Sequence, residues 1–359
     1  MKYPEILSFD DVLAQWDSFD AIIDARSPSE YAVDHLPGAI NAPVLDDEQR
    51  IRVGTMYKQV NSFEAKKVGA ALVAKNIALH IEQLWLDKPR DWRPLVYCWR
   101  GGNRSGAMVH ILAKIGWPVV QLEGGYKAFR NHVNAALEQA PALNFQVICG
   151  TTGSGKSRLL EVLHAHGAQV LDLEQLAAHR GSVLGTLPSQ PQPSQKAFES
   201  SIWQLLRDFD PALPVYVESE SKKVGNLRVP AALMETMRAA DCISLTLSRA
   251  NRVRLLMEDY EHFVDSPQAL NEQLEHLTAL HGREKIARWQ AMSVAGEMES
   301  LVAELLIHHY DPAYLRSIDR NFVKFDQAAL LELDDISAEA FDTAALNLIS
   351  RTRLPQLPE

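Results

Sequence analysis

The 359-residue sequence has only three cysteines, no long apolar run and no excess of basic charge. Cys98, Cys149 and Cys242 are too few and too scattered for a disulfide framework or a zinc site. That scarcity fits a reducing cytoplasm. No apolar run approaches the ~18–20 residues of a membrane span. The opening "MKYPEILSFDDVLAQW" lacks the apolar stretch of a signal peptide. A cytoplasmic protein with no membrane partner is therefore expected. The net charge of -10 leaves room for a nucleic-acid surface only as a local patch.

The length predicts two domains, and a hydrophobic content of 47% is enough to give each a core. "DAIIDAR" (Asp20 to Arg26) and "RPLVYCW" read as buried strands, with helix-like stretches such as "SFEAKKVGAALVAKNIALHIEQLW" between them. Strands alternating with helices predict an α/β fold with parallel sheets. "EQAPALN" reads as a linker. A second α/β unit opens at "FQVICG" and continues through "AQVLDLEQL", "LPVYVESES" and "DCISLTLS" into a helical C-terminal part that includes "RANRVRLLMEDYEHFV". The expected domains are 1–138, 139–330 and an acidic tail, 331–359, packed on or extending the second domain. That tail holds Arg351 and Arg353 against six acids. "GTLPSQPQPSQ" (Gly185 to Gln195) reads as a mobile loop and a lid.

Two stretches carry chemistry. In "VYCWRGGNRSGAM" (Val96 to Met108) a strand runs into Cys98, a glycine loop and a helix. Backbone N–H groups, the helix N-terminus, Arg100 and Arg104 all favour negative charge there, and such surroundings keep a thiolate populated. A buried structural cysteine is the alternative, and Gly-Gly with two arginines argues against it. In "VICGTTGSGKSRLL" the run Gly150, Thr151, Thr152, Gly153, Ser154, Gly155, Lys156, Ser157 satisfies G-x-x-x-x-G-K-[ST]. Its amides cradle a diphosphate, Lys156 reaches the outer phosphate, and Ser157 provides for Mg²⁺. The acids expected to help with a metal are Asp172 in "VLDLE" and Glu218 in "VYVESES"; neither follows the usual four-residue apolar run, so diphosphate binding is favoured over nucleotide hydrolysis.

The first third resembles the rhodanese family through "IIDARSPSEYAVDHLPGAINAP", "YCWRGGNRS" and "LEGGYKAF". The resemblance implies a rhodanese-like domain with Cys98 as its active thiol and a structural role for His35. Five residues separate Cys98 from Arg104, one more than in the usual sulfurtransferase loop, which suits a tetrahedral oxyanion. With the P-loop domain behind it, and with "LDLEQLAAHRGSVLG", "QPSQKAFES", "VYVESESKKVGNLRVP" and "HYDPAYLRSI", nearly the whole chain resembles the tRNA 2-selenouridine synthase family.

That resemblance implies a selenium transferase acting on the wobble 2-thiouridine of tRNA. Geranyl diphosphate would first alkylate the sulfur, and selenophosphate would then replace it with selenium. No tightly bound cofactor is implied, and the selenophosphate-producing enzyme is a candidate partner. Cys98, Arg100 and Arg104 would be catalytic and residues 150–157 would bind diphosphate. Trp99, Ser219, Glu220, Lys222, Arg249, Arg252 and Arg254 are candidate substrate or tRNA contacts. Trp99 would stack on a splayed base or pack on the sheet. The three arginines would follow a phosphate backbone or pair with Glu258 and Asp259. The alternatives are a sulfurtransferase fused to an ATP-dependent kinase-like module, and a cysteine phosphatase or non-catalytic regulator.

Overall fold

The computed structural model describes residues 4–182, 185 and 190–353. The chain divides into two compact units. The first comprises Met1–Ala136 and also takes in Pro193–Gln204; the second holds Leu137–Gln192 and Leu205–Glu359. No helix among the described residues is long and apolar enough to cross a membrane.

The first unit is built on five parallel strands: β1 (Glu5–Leu7), β2 (Ala21–Asp24), β3 (Ala39–Asn41), β4 (Pro94–Tyr97) and β5 (Val120–Leu122), in the order β1-β5-β4-β2-β3. The apolar runs expected to be strands pair with each other, from Ala21 opposite Pro94 to Asp24 opposite Tyr97. Both are buried almost throughout, as helices on both faces of a parallel sheet require. Ile23, Val96, Trp85, Trp92, Met108 and Leu112 share the core on one side. The segment "SFEAKKVGAALVAKNIALHIEQLW" is one helix, Ser62–His80, that loosens into a π turn at Ile81–Trp85. It is preceded by the Asp47–Gln59 helix, and the two form a hairpin.

Residues 193–204 complete this unit. Phe198, Ile202 and Trp203, on the helix Gln195–Asp208, are buried. Trp203 meets Phe129 edge-on at 5.6 Å and lies 6.1 Å from Phe9. Arg130 donates to Glu199 (2.5 Å), to the Ser200 hydroxyl (3.0 Å) and to the Lys196 carbonyl (3.1 Å).

The second unit has a second parallel sheet. Its strands are β6 (Asn144–Cys149), β7 (Gln169–Leu171), β8 (Pro214–Glu218), β11 (Asp241–Leu247) and β12 (Ala329–Leu333), ordered β12-β11-β6-β8-β7. A small antiparallel pair, β9 (Lys223–Val224) and β10 (Leu227–Arg228), stands apart.

The acidic C-terminal stretch is part of this fold: β12 pairs with β11, and the helix Ala338–Arg353 buries Phe341, Ala344, Ala345 and Leu348 in the core. The long helix expected over 249–264 breaks at Tyr260, with pieces at Arg249–Asp259 and Glu261–Val264. The lid reading of 185–195 depends on 186–189, which lie outside the described residues. Gln192 within that stretch is pinned, donating to the carbonyls of Ala177 and Val224 (3.1 Å each) and accepting from the Asn226 amide.

Candidate functional site

In the first unit, β4 ends at Tyr97 and delivers Cys98 to a loop that turns into the helix Asn103–Ile115. Backbone bonds from the next helix hold the loop: the Tyr126 amide donates to the Cys98 carbonyl (2.8 Å) and the Lys127 amide to that of Trp99 (3.0 Å). Cys98 is 3% exposed, and its Sγ accepts from the Ser105 hydroxyl at 3.3 Å. Gln121 in turn donates to Ser105 Oγ (3.0 Å).

A buried polar network braces this floor. Arg26 is bound to Asp24 (2.6 Å) and to the Asp34 carbonyl, Tyr97 donates to Asp24 (2.7 Å), and Tyr126 donates to Asp34 (2.8 Å). These are the "DAR" and "DH" positions of the sequence, and their job is to fix the loop. His35 is outside the chemistry; its Nδ1 lies 3.0 Å from the Tyr31 carbonyl and its ring stacks on Tyr31.

The two loop arginines differ. Arg104 is committed to Glu30, with contacts of 2.6 and 3.2 Å, while Arg100 is exposed. Glu30 also meets Arg50 at 3.0 Å. Burial pushes the Glu30 carboxyl up, but hydrogen bonds and charge from Arg104, then Ser27 and Arg50, outweigh it and hold the pKa below its ordinary value. The positive surroundings expected of both arginines thus come from Arg100 and the amides. Trp99 is 40% exposed, with its ring 5.4 Å from that of Tyr126, so one face packs and the rest is open.

In the second unit, β6 runs into the glycine loop and the helix Lys156–Ala165, the strand–loop–helix context the motif requires. Gly155 has φ +88°, and a Cβ there would sit 2.6 Å from Phe341 Cζ, so only glycine fits. Lys156 Nζ donates to the Gly150 carbonyl (2.7 Å). The Gly150 amide donates to the Tyr314 hydroxyl (2.6 Å), which also meets Ser219 Oγ at 3.3 Å. The loop opens on a polar basin of about 400 Å³ lined by Lys156, Ser157, Arg180, Ser219, Glu220 and Tyr314, among others.

The acid facing Ser157 is Glu174, which accepts from its hydroxyl at 3.0 Å. Neither Asp172 nor Glu218 takes that place. Asp172 caps the short helix Leu173–Leu176 through the Gln175 amide (2.7 Å), and Glu218 accepts the Glu174 amide (3.0 Å). An Asp opening a helix is an N-cap signature; read that way, "LDLEQL" would have pointed to Glu174. The carboxylates crowd one another. Burial, and then the charge of Glu220, raise Glu174 to about 7 against the pull of Lys156 and Ser157. Burial foremost also raises Asp172 to about 6, lifts Glu220, and lifts Glu218 well above its ordinary value. Among the described residues one Glu218 oxygen, Oε2, has no hydrogen-bond partner. The Ser157 hydroxyl and the Glu174 carboxylate are hard oxygen donors side by side, which fits a Mg²⁺ that completes its shell with phosphate oxygens and water. Among the described residues no three His, Cys, Asp or Glu side chains form a metal cage by themselves.

The arginine helix needs correction. Arg252 is buried, donating to the Thr152 carbonyl (2.9 Å) and to Asp311 (3.1 and 2.5 Å). It holds the P-loop from behind and is not available to nucleic acid. Arg249 and Arg254 are exposed. Glu258 and Asp259 pair with Arg158, and Asp259 also with Arg180, rather than with Arg249, Arg252 or Arg254. Ser219 and Glu220 line the basin, while Lys222 is exposed and not among its lining residues.

Next to the basin is a narrow apolar slot of about 50 Å³, walled by Met257, Phe263, Leu270, Met298, Leu301 and Leu305 among others. Thr152, Leu256, Tyr260 and Tyr310 line both spaces.

The family model of the Rhodanese-like domain matches residues 8–132, and that of the tRNA 2-selenouridine synthase AAA domain matches 143–288. A tRNA 2-selenouridine synthase of Nitrosomonas europaea is 31% identical, over 90% of this chain and 95% of its own. One from Shewanella halifaxensis is 32% identical, over 83% and 89%. The chain belongs to the tRNA 2-selenouridine synthase family. A third member, from Nitrosomonas eutropha, is 35% identical over 72% of this chain and 68% of its own. Membership accounts for the order of the two cradles along the chain. It leaves the apolar slot beside the P-loop to be explained by its own chemistry.

Proposed function

We propose that this chain replaces the sulfur of wobble 2-thiouridine in tRNA with selenium, in two steps. In the first, the sulfur attacks C1 of geranyl diphosphate. A C–S bond forms, the C–O bond to diphosphate breaks, and the N3 proton of the base leaves. In the second, selenium from selenophosphate adds at C2 and the C–S bond breaks. Geranylthiol departs, and water takes the phosphoryl group to give phosphate. The first step makes a poor leaving group into a good one.

The observation that carries the reading is the junction of the polar basin with the apolar slot at Thr152, Leu256, Tyr260 and Tyr310. A prenyl diphosphate has one strongly anionic end and one wholly apolar end. The P-loop amides and Lys156 suit the charge that develops on the departing diphosphate. Met257 and Met298 are adaptable walls that can part around a branched chain. A kinase-like module has no use for such a slot. A Mg²⁺ on Ser157 and Glu174 would neutralise the diphosphate. Cys98 and Arg100 would receive selenophosphate.

Nucleoside mass spectrometry of thiolated tRNA separates the steps. Lys156→Ala should abolish the S-geranyl product. Cys98→Ser should accumulate S-geranyl-2-thiouridine without selenouridine. Unchanged geranylation in folded Lys156→Ala protein, or ATP turnover with no geranylation by the wild type, would overturn the reading.

A further inference from the structure

The hairpin of Asp47–Gln59 and Ser62–His80 is an unusual piece of an acidic protein. Its first helix, about 20 Å long at 1.5 Å per residue, buries no residue at all. The second buries only Ala65, Gly69 and Ile77. Residues 47–80 hold six Lys and Arg against three acids, in a chain of net charge -10. One of those acids, Asp47, is already bonded to Ser29 at 2.5 Å, and another, Glu64, to Lys67 at 2.7 Å. The tip gathers large exposed side chains within seven residues. Tyr57 is 57% exposed, Val60 69% and Phe63 64%, and Lys58 and Lys66 stand among them. Among the described residues neither of these two lysines has an ion-pair partner.

Lysine is depleted from the centres of protein–protein interfaces. Aromatic rings set among lysines, on the other hand, are how proteins hold unpaired nucleotides, with rings under the bases and ammonium groups on the phosphates. We propose that the tip of this hairpin is an RNA-binding arm for the tRNA substrate. Tyr57 and Phe63 stack on unpaired bases, and Lys58 and Lys66 contact the backbone. The base of the arm supports this. Arg50 at the foot of the first helix shares Glu30 with Arg104 of the Cys98 loop, so the arm rises from the rim of that loop within one unit. This inference rests on the reading that tRNA is the substrate.

The test measures binding of a fluorescent tRNA transcript to the full-length protein across a salt series. Lys58→Ala/Lys66→Ala should lower the slope of log Kd against log salt by about 1.4 to 1.8, from two lost phosphate contacts. Lys58→Arg/Lys66→Arg should restore it. Tyr57→Ala/Phe63→Ala should raise Kd by at least about thirtyfold, from two lost stacking contacts, with little change in slope. Wild-type Kd and slope in both alanine variants would overturn the proposal while leaving tRNA as substrate. Failure of the wild type to bind tRNA would overturn both. Sedimentation that shows self-association, lost in the variants while tRNA binding is kept, would make the tip a contact between copies and would also overturn it.

Discussion

Glu174→Gln should make the protein more stable and less active, with a stability gain that grows as pH rises from about 4.5 and is nearly complete at neutrality. The Glu174 carboxyl is raised from 4.5 to about 7, by burial first and by Glu220 second. An acid whose pKa is higher in the folded state stabilises the fold below the unfolded value, and that contribution is lost as pH rises through the folded value. The window is therefore about 4.5 to 7. At 1.36 kcal/mol per pH unit, keeping this group ionised at pH 8 costs the folded state about 3 kcal/mol. Glutamine keeps the shape and carries no charge. Urea unfolding at pH 8 should show the variant more stable by up to about 3 kcal/mol, or roughly 6–12 °C in a thermal melt. At pH 5 the two proteins should differ little. Geranylation should fall steeply, because a neutral amide would hold a metal beside Ser157 far more weakly than the carboxylate. A variant less stable than wild type at pH 8, or stabilised equally at both pH values, would refute the placement of this charge.

Gly155→Ala should cost about 1–2 kcal/mol for the left-handed backbone and about 1–3 more for overpacking against Phe341. Gly167→Ala, also at positive φ but with nothing within 4 Å of its added methyl, should show only the first part in the same denaturation experiment. Leu305→Trp should fill the apolar slot and raise KM for geranyl diphosphate about tenfold, the loss expected from two buried carbons at about 0.8 kcal/mol each. Inhibition by inorganic diphosphate should be unchanged in that variant, because the basin residues are untouched.

The parts of this molecule that were legible in the sequence are those written in consecutive residues. "DAIIDAR" and "RPLVYCW" are apolar runs of strand length, and they are neighbours in the sheet. The eight residues from Gly150 to Ser157 carry the phosphate loop with its strand and helix on either side. What was not legible depends on partners far along the chain. Tyr314 reaches Gly150 across 164 positions, and Arg252 finds Asp311 across 59. A row of arginines at helical spacing does not reveal which one points inward. The last stretch looked like an acidic tail because its charge was averaged; Leu333, Phe341, Ala344, Ala345 and Leu348 are buried while Glu332, Glu339 and Asp342 are exposed. Glu174 was hidden because it faces Ser157 only once Asp172 is taken up as the cap of the short helix, and that helix is too short to show in the apolar pattern.

The seating of Phe198, Ile202 and Trp203 in the first unit has a consequence for synthesis. The ribosome makes residues 1–136 first, and domains generally fold as they emerge. Here the N-terminal unit cannot close when its own continuous stretch is finished. Phe9 and Phe129 wait for a helix that arrives only after the phosphate loop and two strands of the next unit have been made. The unit that carries the thiol therefore matures late, and a gene cut at the apparent linker would release it with part of its core missing.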